Sequence, residues 1–430
     1  MGKLFKQFVK EIGNRYSSYK SVRRPNFAAT QKVSSSESQP KRSQDFNLVK
    51  HLRAKILATG PITVSEYMKD VLTNPNAGYY MNRDVFGKEG DFITSPEICQ
   101  IFGELVAVWL LTEWRKIGAP EPFQIVELGP GRGTLARDII RVFTMFLKDS
   151  QFSMHMVEIS PFLSKIQGQQ FCYKSDTIED EKLPYYQKGE TLTGVEVFWY
   201  KHLEDVPKEF SLVIAHEFFD ALPVHKLQLD KDGLWKEILV DVDVNSENEF
   251  RFVLSKSQTP ISQLFKPFKN EKRQCLEYSL ETERIIGMLA ERFERYGGIG
   301  LIMDYGHFGE KSDTFRAFRR HALHDPLKEP GTADLTTDVD FAHVKHIAEQ
   351  KGQAICFGPV EQGFFLKQME GGARLEKLLQ NTSPENKKIL TTGYKMLTEP
   401  DQMGARFKFF SMFPAVLKDH LTKFKVHGFT

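Results

Sequence analysis

The chain has 430 residues, of which 41% are hydrophobic and 27% are charged, a balance typical of a globular enzyme with a sizeable buried core. The longest uninterrupted apolar run is the seven-residue stretch Leu105–Leu111, whereas a membrane-spanning helix needs about 20 residues. The sequence therefore predicts no integral membrane segment. The four cysteines form no CxxC pair, which argues against a zinc ribbon or an iron–sulfur cluster.

Residues 1–44 carry an excess of positive charge. They contain ten Lys or Arg, two acidic residues and eight Ser, a net charge of +8, and their first turns place several apolar side chains on one helical face: Leu4, Phe5, Phe8, Ile12 and Tyr16. A basic, Ser-rich, amphipathic leader is typical of a mitochondrial transit peptide. We therefore predict that residues 1–44 are a transit peptide and linker that direct the protein to the mitochondrial matrix. A disordered basic tail is the alternative.

The rest of the chain, residues 45–430, carries a net charge of −6, since the whole chain carries +2. A mildly acidic body argues against a nucleic-acid partner, because binding to phosphates needs a basic surface. Within this body, residues 45–120 are predicted to form an N-terminal helical and lid region. Apolar residues recur there at helical spacing over about 48–59, 65–72 and 97–116.

From Phe123 onward, short apolar strands alternate with amphipathic helices. The pattern predicts a helix at 134–148 and strands at 124–128, 152–159, 195–200, 212–216 and 300–304. Strands and helices that alternate at this spacing indicate a parallel, doubly wound sheet of the α/β, Rossmann-like class.

A second pattern interrupts this alternation. Residues 224–254 are rich in strand-forming residues, and a helix is predicted at 277–296. We therefore predict an insertion at 230–297 that divides the core into two parts, 121–229 and 298–430. The second part is predicted to contain these elements: helices at 339–350, 361–380 and 385–396, and strands at 353–357 and 407–413.

The most specific motif is a glycine-rich loop between the first predicted core strand and its helix. Gly129, Gly131 and Gly133 have GxGxG spacing, which differs from the GxGxxG of dinucleotide-binding loops. Glycines permit a tight turn and let a ligand lie against the backbone. The loop is therefore predicted to bind a cofactor, and the alternative is a tight turn without a ligand.

Glu127 directly precedes this loop and helps to identify the cofactor. A carboxylate is unfavourable beside a phosphate but attracts an ammonium or sulfonium group, and S-adenosylmethionine has both. Glu158 ends the second core strand, where a carboxylate can accept hydrogen bonds from ribose hydroxyls. The sequence thus predicts that S-adenosylmethionine is the cofactor, with NAD as a disfavoured alternative.

Two further acidic residues follow the fourth core strand. Glu217 and Asp220 lie in the run Ala215–Pro223, at a strand end where reacting groups gather in open α/β sheets. Two nearby carboxylates could hold a guanidinium through charge-assisted hydrogen bonds and accept its proton. We therefore predict Glu217 and Asp220 as catalytic residues. The alternative is that Asp220 caps a turn and Glu217 contacts backbone.

Motifs spread over residues 45–415 occur together in one known family. They include Pro61–Met68, Gly78-Tyr79-Tyr80, Gly90–Glu97, Glu127–Leu135, Val157-Glu158, Ser160-Pro161, Glu217–Pro223, Asp304-Tyr305-Gly306, Asp334-Leu335-Thr336 and Gln362-Gly363. In these motifs the chain resembles the MidA family of class I S-adenosylmethionine-dependent methyltransferases. His216 departs from the pattern, because Asn is expected at this position.

The resemblance to mitochondrial members of this family implies a protein arginine methyltransferase. It implies that the substrate is a core subunit of respiratory complex I, that arginine is symmetrically dimethylated, and that assembly of the complex depends on this protein. A cofactor-binding assembly chaperone without essential turnover and a methyltransferase of another substrate are the alternatives.

The segment Gly90–Glu97 is predicted to close over the cofactor pocket as a lid or a floor for the substrate. Asp91, Ser95 and Glu97 are its candidate contact residues, although Ser95 could also be the N-cap of a helix. No metal site is predicted, because the pairs His321/His324 and His343/His346 have no third ligand in register.

Overall fold

The computed structural model describes residues 46–85, 91, 93–147, 152–246, 249–269, 271–380 and 382–430. The predicted transit peptide and linker, residues 1–44, lies outside the described residues. Within the described ranges, no helix has the length and apolar character needed to cross a membrane.

The α-helices are α1 (Leu48–Thr59), α2 (Val64–Thr73), α3 (Ser95–Ile98), α4 (Gln100–Lys116), α5 (Thr134–Phe146), α6 (Pro161–Phe171), α7 (Pro260–Leu264), α8 (Leu280–Tyr296), α9 (Phe341–Glu349), α10 (Gln362–Gln368), α11 (Gly371–Leu379), α12 (Pro384–Thr398) and α13 (Lys418–Lys423).

The strands are β1 (Ile62–Thr63), β2 (Phe123–Leu128), β3 (Phe152–Val157), β4 (Cys172–Thr177), β5 (Gln187–Thr191), β6 (Glu196–Tyr200), β7 (Ser211–His216), β8 (His225–Leu229), β9 (Trp235–Val242), β10 (Phe250–Leu254), β11 (Cys275–Tyr278), β12 (Gly298–His307), β13 (Arg316–Arg319), β14 (Ala322–His324), β15 (Asp334–Thr336), β16 (Val339–Asp340), β17 (Ala354–Glu361) and β18 (Phe407–Pro414).

The main sheet has the order β17-β18-β12-β7-β2-β3-β6-β5-β4, and β16 pairs with β12. The five central strands, β12 to β6 in this order, are mutually parallel. The prediction of a parallel sheet is wrong for the edges, where β18, β17, β5 and β4 pair antiparallel. Antiparallel neighbours can be joined by short turns, so these edges need no crossover helix.

A second, antiparallel sheet has the order β1-β9-β8-β11, with β10 also paired to β9. β1 comes from the N-terminal region, which therefore shares a sheet with the later strands. A small third sheet has the order β14-β13-β15, and its strands lie in the sequence between β12 and β16. After β1, the strands of the second sheet resume at His225, before the predicted start of the insertion, and the division at 230–297 stays a prediction about domain units.

Three predicted helices differ from those observed, and one of them, predicted at 361–380, is divided into α10 and α11 at Met369 and Glu370. The helix predicted at 277–296 begins at Leu280, because Cys275–Tyr278 pairs with β8 and Ser279 accepts a hydrogen bond from the backbone N–H of Thr282. The helix predicted at 97–116 is interrupted at Cys99, whose extended backbone separates α3 from α4. Short-range periodicity cannot detect such breaks, since the apolar residues continue through them.

The main core packs α4 and α5 against the central strands. Trp109, Phe102 and Trp199 are fully buried there, and α4 is buried on nearly all sides. A helix enclosed in this way is apolar around its circumference rather than along one stripe. β2, β3 and β7 end at the same edge of the sheet, as parallel strands must, so the loops after Leu128, Val157 and His216 meet there.

Candidate functional site

A cleft of about 1190 Å³ opens at the carboxyl ends of the parallel strands. Its lining includes Gly129 and Gly131 of the glycine loop, Glu158 after β3, and Glu217 and Asp220 after β7. The tertiary structure thus brings together residues that are up to 91 positions apart in the sequence. It supports the expectation that ligands gather at this edge of an open α/β sheet.

All three predicted glycines have left-handed backbone conformations, with φ of 62° at Gly129, 54° at Gly131 and 79° at Gly133. A Cβ atom at Gly129 would lie 2.7 Å from the ring of Phe218, so no side chain fits there without displacing this ring. Gly133 is the N-cap of α5. The loop therefore depends on glycine for its conformation, and it exposes backbone to the cleft.

Glu127 is buried at the end of β2, and its Oε2 atom has no hydrogen-bond partner among the described residues. Burial raises the pKa of the Glu127 carboxyl to about 8. An unpartnered buried carboxyl oxygen is costly unless a ligand group pairs with it. Glu127 is not among the residues that line the cleft, but an ammonium or hydroxyl group that reached Oε2 would supply the missing donor, as the predicted cofactor could.

Glu158 is buried at the tip of β3, and both of its carboxyl oxygens accept hydrogen bonds. The Ser160 backbone N–H donates to Oε1 at 2.8 Å, and Gln167 Nε2 donates to Oε2 at 3.1 Å. Burial raises the pKa of this carboxyl to about 7. Each oxygen keeps a second lone pair for a ribose hydroxyl.

Gln167, on α6, is a site residue that the sequence did not reveal. Its Nε2 also donates to the carbonyl of Gly131 at 2.7 Å, and its Oε1 accepts from Trp199 Nε1 at 2.7 Å. Gln167 therefore connects the glycine loop to the carboxylate of Glu158. Nothing in the local sequence signals this role, because a buried Gln on a helix has many possible partners.

The loop after β7 is held by Asp304 of β12. Asp304 Oδ2 accepts from the backbone N–H groups of Phe218, Phe219 and Asp220 at 3.0 to 3.3 Å. Burial and the neighbouring carboxyls raise the pKa of Asp304, whereas these N–H donors favour its charged form. Asp304 belongs to one of the quoted motifs, but only the structure shows that it shapes this loop.

Glu217 adopts a left-handed backbone with φ of 49°, which is unusual for a residue with a side chain and occurs at functional sites. Its Oε1 atom has no hydrogen-bond partner among the described residues. Burial and the nearby Asp220 and Asp334 raise the pKa of Glu217 well above its ordinary value, and the Ser95 backbone N–H opposes this rise. These causes favour the uncharged carboxyl in the empty cleft, and a bound cation would favour its ionised form.

His216 occupies the position that departs from the family pattern. Its ring packs edge-on against Phe102 and stacks on Phe407, with Nε2 3.5 Å from Glu217 Oε1. Burial lowers the pKa of His216 to about 3, so the imidazole is neutral. It adds no positive charge that could compete with a cationic ligand.

Asp220 is 7% exposed, and only one of its carboxyl oxygens has a partner in the described part of the chain. Thr336 Oγ1 donates to Oδ2 at 2.7 Å, whereas Oδ1 has no partner. Burial raises the pKa of Asp220 to about 6. Glu217 and Asp220 thus both line the cleft, and each has one buried carboxyl oxygen without a hydrogen-bond partner among the described residues.

Of the three predicted lid residues, Asp91 is among those that line the cleft, whereas Ser95 and Glu97 are not. Asp91 lines the cleft and accepts hydrogen bonds from the Tyr79 hydroxyl and the Arg320 backbone N–H, each at 2.8 Å. Ser95 is fully buried, with Oγ 3.4 Å from Gln362 Oε1. The alternative that made Ser95 an N-cap is wrong by one residue, because Thr94 is the N-cap of α3.

Glu97, the third predicted lid residue, closes the first turn of α3 by accepting from the Thr94 backbone N–H at 3.2 Å. Its other oxygen lies 3.6 Å from Arg132 Nη1, in the glycine loop. Glu97 therefore connects the segment before α4 to the cofactor loop. Among the residues that the structure describes, no cluster of His, Cys, Asp or Glu could hold a metal ion.

Three comparisons place these features among known proteins. A family model described as an S-adenosyl-L-methionine-dependent methyltransferase matches residues 105–360. The Drosophila melanogaster "Protein arginine methyltransferase NDUFAF7 homolog, mitochondrial" is 64% identical over 431 residues, which cover 97% of this chain and 98% of that protein. The Homo sapiens "Protein arginine methyltransferase NDUFAF7, mitochondrial" is 47% identical over 388 residues, with 89% and 87% covered.

A solved structure from Burkholderia thailandensis, of a protein bound to S-adenosyl-homocysteine, is similar in fold. Its TM-score is 0.67 at 21% sequence identity, and the similarity covers 86% of this chain and 92% of that chain. This likeness confirms the predicted α/β fold with a Rossmann-like class I sheet.

Proposed function

This chain belongs to the S-adenosyl-L-methionine-dependent methyltransferase family, and we propose that it methylates arginine side chains of a core subunit of respiratory complex I in the mitochondrial matrix. Family membership confirms the predicted enzyme class and the predicted cofactor. The proposal extends to symmetric dimethylation and to a requirement for this protein in complex I assembly. The names of the Drosophila and human relatives support arginine as the substrate and the mitochondrion as the location.

The observation that carries the proposed chemistry is the pair of unsatisfied carboxyl atoms, Glu217 Oε1 and Asp220 Oδ1, in the cleft of the glycine loop. Neither atom has a hydrogen-bond partner among the described residues, and His216 Nε2 lies 3.5 Å from Glu217 Oε1. A guanidinium group presents five N–H donors in one plane and can pair with two carboxylates at once. A cationic, multidentate ligand therefore matches what this part of the cleft lacks.

The cofactor would be held by residues of the glycine loop and of the first two core strands. Gly129, Gly131 and Glu158 line the cleft in which it would lie, and Gly133 completes the glycine loop. Glu158 and the buried Glu127, which lies behind this lining, would accept hydrogen bonds from its hydroxyl and amino groups. When bound, S-adenosylmethionine supplies an electrophilic methyl group on its sulfonium sulfur.

Glu217 and Asp220 would act on the second substrate. Their carboxylates would hold the guanidinium in one orientation, remove it from bulk water and accept the proton that the methylated nitrogen releases. Asp304 would position both side chains by holding the backbone between them. Asp91, Ser95 and Glu97 are proposed to close this side of the cleft.

The proposal can be tested by mass spectrometry of complex I subunits from cells with and without this protein. Arginine dimethylation that disappears in the deficient cells, and returns with the wild-type protein, is the expected result. Unchanged methylation of every subunit would contradict the proposed substrate. Purified protein with S-adenosylmethionine and subunits from the deficient cells would show whether the transfer is direct.

A further inference from the structure

We propose that Asp334, held in place by Tyr80, is a third carboxyl group of the guanidinium site and makes the cleft select arginine over lysine. This inference rests on the proposed function, because it concerns how the same cleft recognises the side chain that is methylated. The sequence did not indicate Asp334 as a site residue.

The position of Asp334 follows from strand geometry. Asp334 and Thr336 are two residues apart on β15, so their side chains lie on the same face of the strand. Thr336 Oγ1 donates to Asp220 Oδ2 at 2.7 Å. Asp334 therefore stands beside Asp220, and both residues line the cleft.

Tyr80 holds the Asp334 carboxyl. The Tyr80 hydroxyl donates to Asp334 Oδ1 at 2.6 Å, and its ring packs edge-on against Tyr79, with ring centroids 5.0 Å apart. The backbone carbonyl of Tyr80 accepts from Ser160 Oγ at 2.9 Å, just after Glu158. The N-terminal region thus carries a side chain that fixes one acid of the site.

The unpartnered atoms beside Asp334 indicate that a ligand completes the cluster. Asp220 is 7% exposed, and its Oδ1 has no partner among the described residues, as is also true of Glu217 Oε1. Acids packed together do not by themselves form a site. Here, two buried carboxyl oxygens that lack donors among the described residues point to a group with several donors.

A guanidinium suits three acceptors better than an ammonium does. Its five N–H groups spread over three nitrogens in a plane, so acceptors at separate positions can each bind one edge. The ammonium of lysine has three donors on one atom. Three separately fixed carboxyls therefore favour arginine, whereas one carboxylate would bind both side chains.

Charge coupling gives this arrangement a measurable signature. Burial raises the pKa of Asp334 to about 8, with contributions from Asp220 and Asp91, and Tyr80 opposes the rise. Arg316, on the neighbouring strand, favours the ionised form of Asp220. A bound cation favours the ionised carboxylates, so guanidinium binding near neutral pH releases protons.

The experiment uses the full chain saturated with S-adenosylhomocysteine and two probes, N-acetyl-arginine amide and N-acetyl-lysine amide. Calorimetry in two buffers of different ionisation enthalpy gives both the affinity and the number of protons released. We expect the wild type to bind the arginine probe at least about tenfold more tightly than the lysine probe, because the guanidinium makes more hydrogen bonds to the charged carboxylates.

Asp334→Asn should weaken binding of the arginine probe by about tenfold, release fewer protons and lose most of the preference for arginine. Tyr80→Phe should reduce the preference in the same direction while retaining the carboxyl. The control is Glu281→Gln, since Glu281 lines the same cleft but pairs with Arg284, and it should bind like the wild type. Wild-type affinity for S-adenosylhomocysteine in each variant shows that the fold is intact.

Wild-type binding and proton release in Asp334→Asn would overturn the inference. Equal binding of both probes by the wild type, or binding of neither probe, would also overturn it. These outcomes are separate from the proposed function, which fails if the wild type transfers no methyl group to complex I arginines.

Discussion

Gln167 Nε2 donates a hydrogen bond to Glu158 Oε2 at 3.1 Å, and through the same nitrogen it also reaches the carbonyl of Gly131. The two predicted parts of the cofactor site, the glycine loop and the ribose-binding acid, are therefore joined by one side chain. A change at Gln167 should affect the cofactor even though the sequence did not identify it.

Gln167→Leu should weaken S-adenosylmethionine binding by roughly tenfold, because it removes donors to Glu158 and Gly131 and leaves the Trp199 indole N–H without its acceptor. The cost of an unsatisfied buried group is about 1–3 kcal/mol. Calorimetry measures the affinity. Gln170→Leu is the matched control, since Gln170 lies on the same helix and its side chain accepts a hydrogen bond from the exposed Arg137 rather than from a residue of the cofactor site. Equal affinities in both variants would remove Gln167 from the site.

Gly131→Val should abolish detectable cofactor binding while the protein remains folded. Valine is strained at the φ of 54° that Gly131 adopts, and this strain would distort the loop where it lines the cleft. Gly194→Val is the control for strain alone, because Gly194 has φ of 80° with open space around it. Unchanged affinity in a folded Gly131→Val protein would contradict the role of the loop.

Asp220→Asn should retain cofactor affinity and lose methyl transfer by roughly one to two decades, since one charge-assisted hydrogen bond to the guanidinium is removed. Glu217→Gln should behave similarly. The measurements are methylation of the target subunit in vitro and complex I assembly in cells that lack the wild type. Full methylation by both variants would exclude these carboxylates from the mechanism. Full assembly without methylation would favour the chaperone function.

Glu127 should make cofactor binding dependent on pH. Its pKa of about 8 in the cofactor-free protein means that the carboxyl is protonated below pH 8 and offers less charge to a cation. Affinity should therefore fall by about tenfold or more between pH 8.5 and pH 6.5. Glu127→Gln should bind more weakly at pH 8.5 and show a flatter profile. A wild-type affinity that does not change over this range would refute the prediction.

Glu127 should also make the stability of the cofactor-free protein depend on pH, but stability should fall with rising pH whereas cofactor affinity rises. Folding raises the pKa of Glu127 from 4.5 to about 8, so between these pH values the folded state holds a proton that the unfolded state has released. The free energy of unfolding therefore falls as pH rises from about 4.5 to 8. Thermal unfolding of the cofactor-free protein should show Glu127→Gln to be more stable than the wild type at pH 8. A less stable variant would indicate that Glu127 has a stabilising partner.

Residues 1–44 should direct a fluorescent protein into mitochondria. Their +8 charge and amphipathic start favour import along the membrane potential, whereas the body is mildly acidic. The control is the same fusion with the first four basic residues changed to Gln, which should remain outside: Lys3, Lys6, Lys10 and Arg15. A wild-type fusion that stays in the cytosol would contradict the predicted location.

Local sequence determined a large part of this protein. Period-two and period-3.6 patterns located β2, β3, β6, β7 and α5 to within a few residues, because those segments bury one face or are buried entirely. The glycine loop was also visible, since left-handed turns restrict residue choice at Gly129, Gly131 and Gly133. The acids at strand ends were predictable because parallel strands share one functional edge.

The tertiary structure decided which distant residues form hydrogen bonds with one another. Three contacts could not be predicted from sequence spacing, because each joins separate elements: Asp304 with the loop after β7, Gln167 with Glu158, and Tyr80 with Asp334. The sequence also did not reveal the antiparallel edges of the main sheet. Local patterns report which face of a segment is buried, whereas hydrogen-bond partners and pairing direction depend on how distant segments pack.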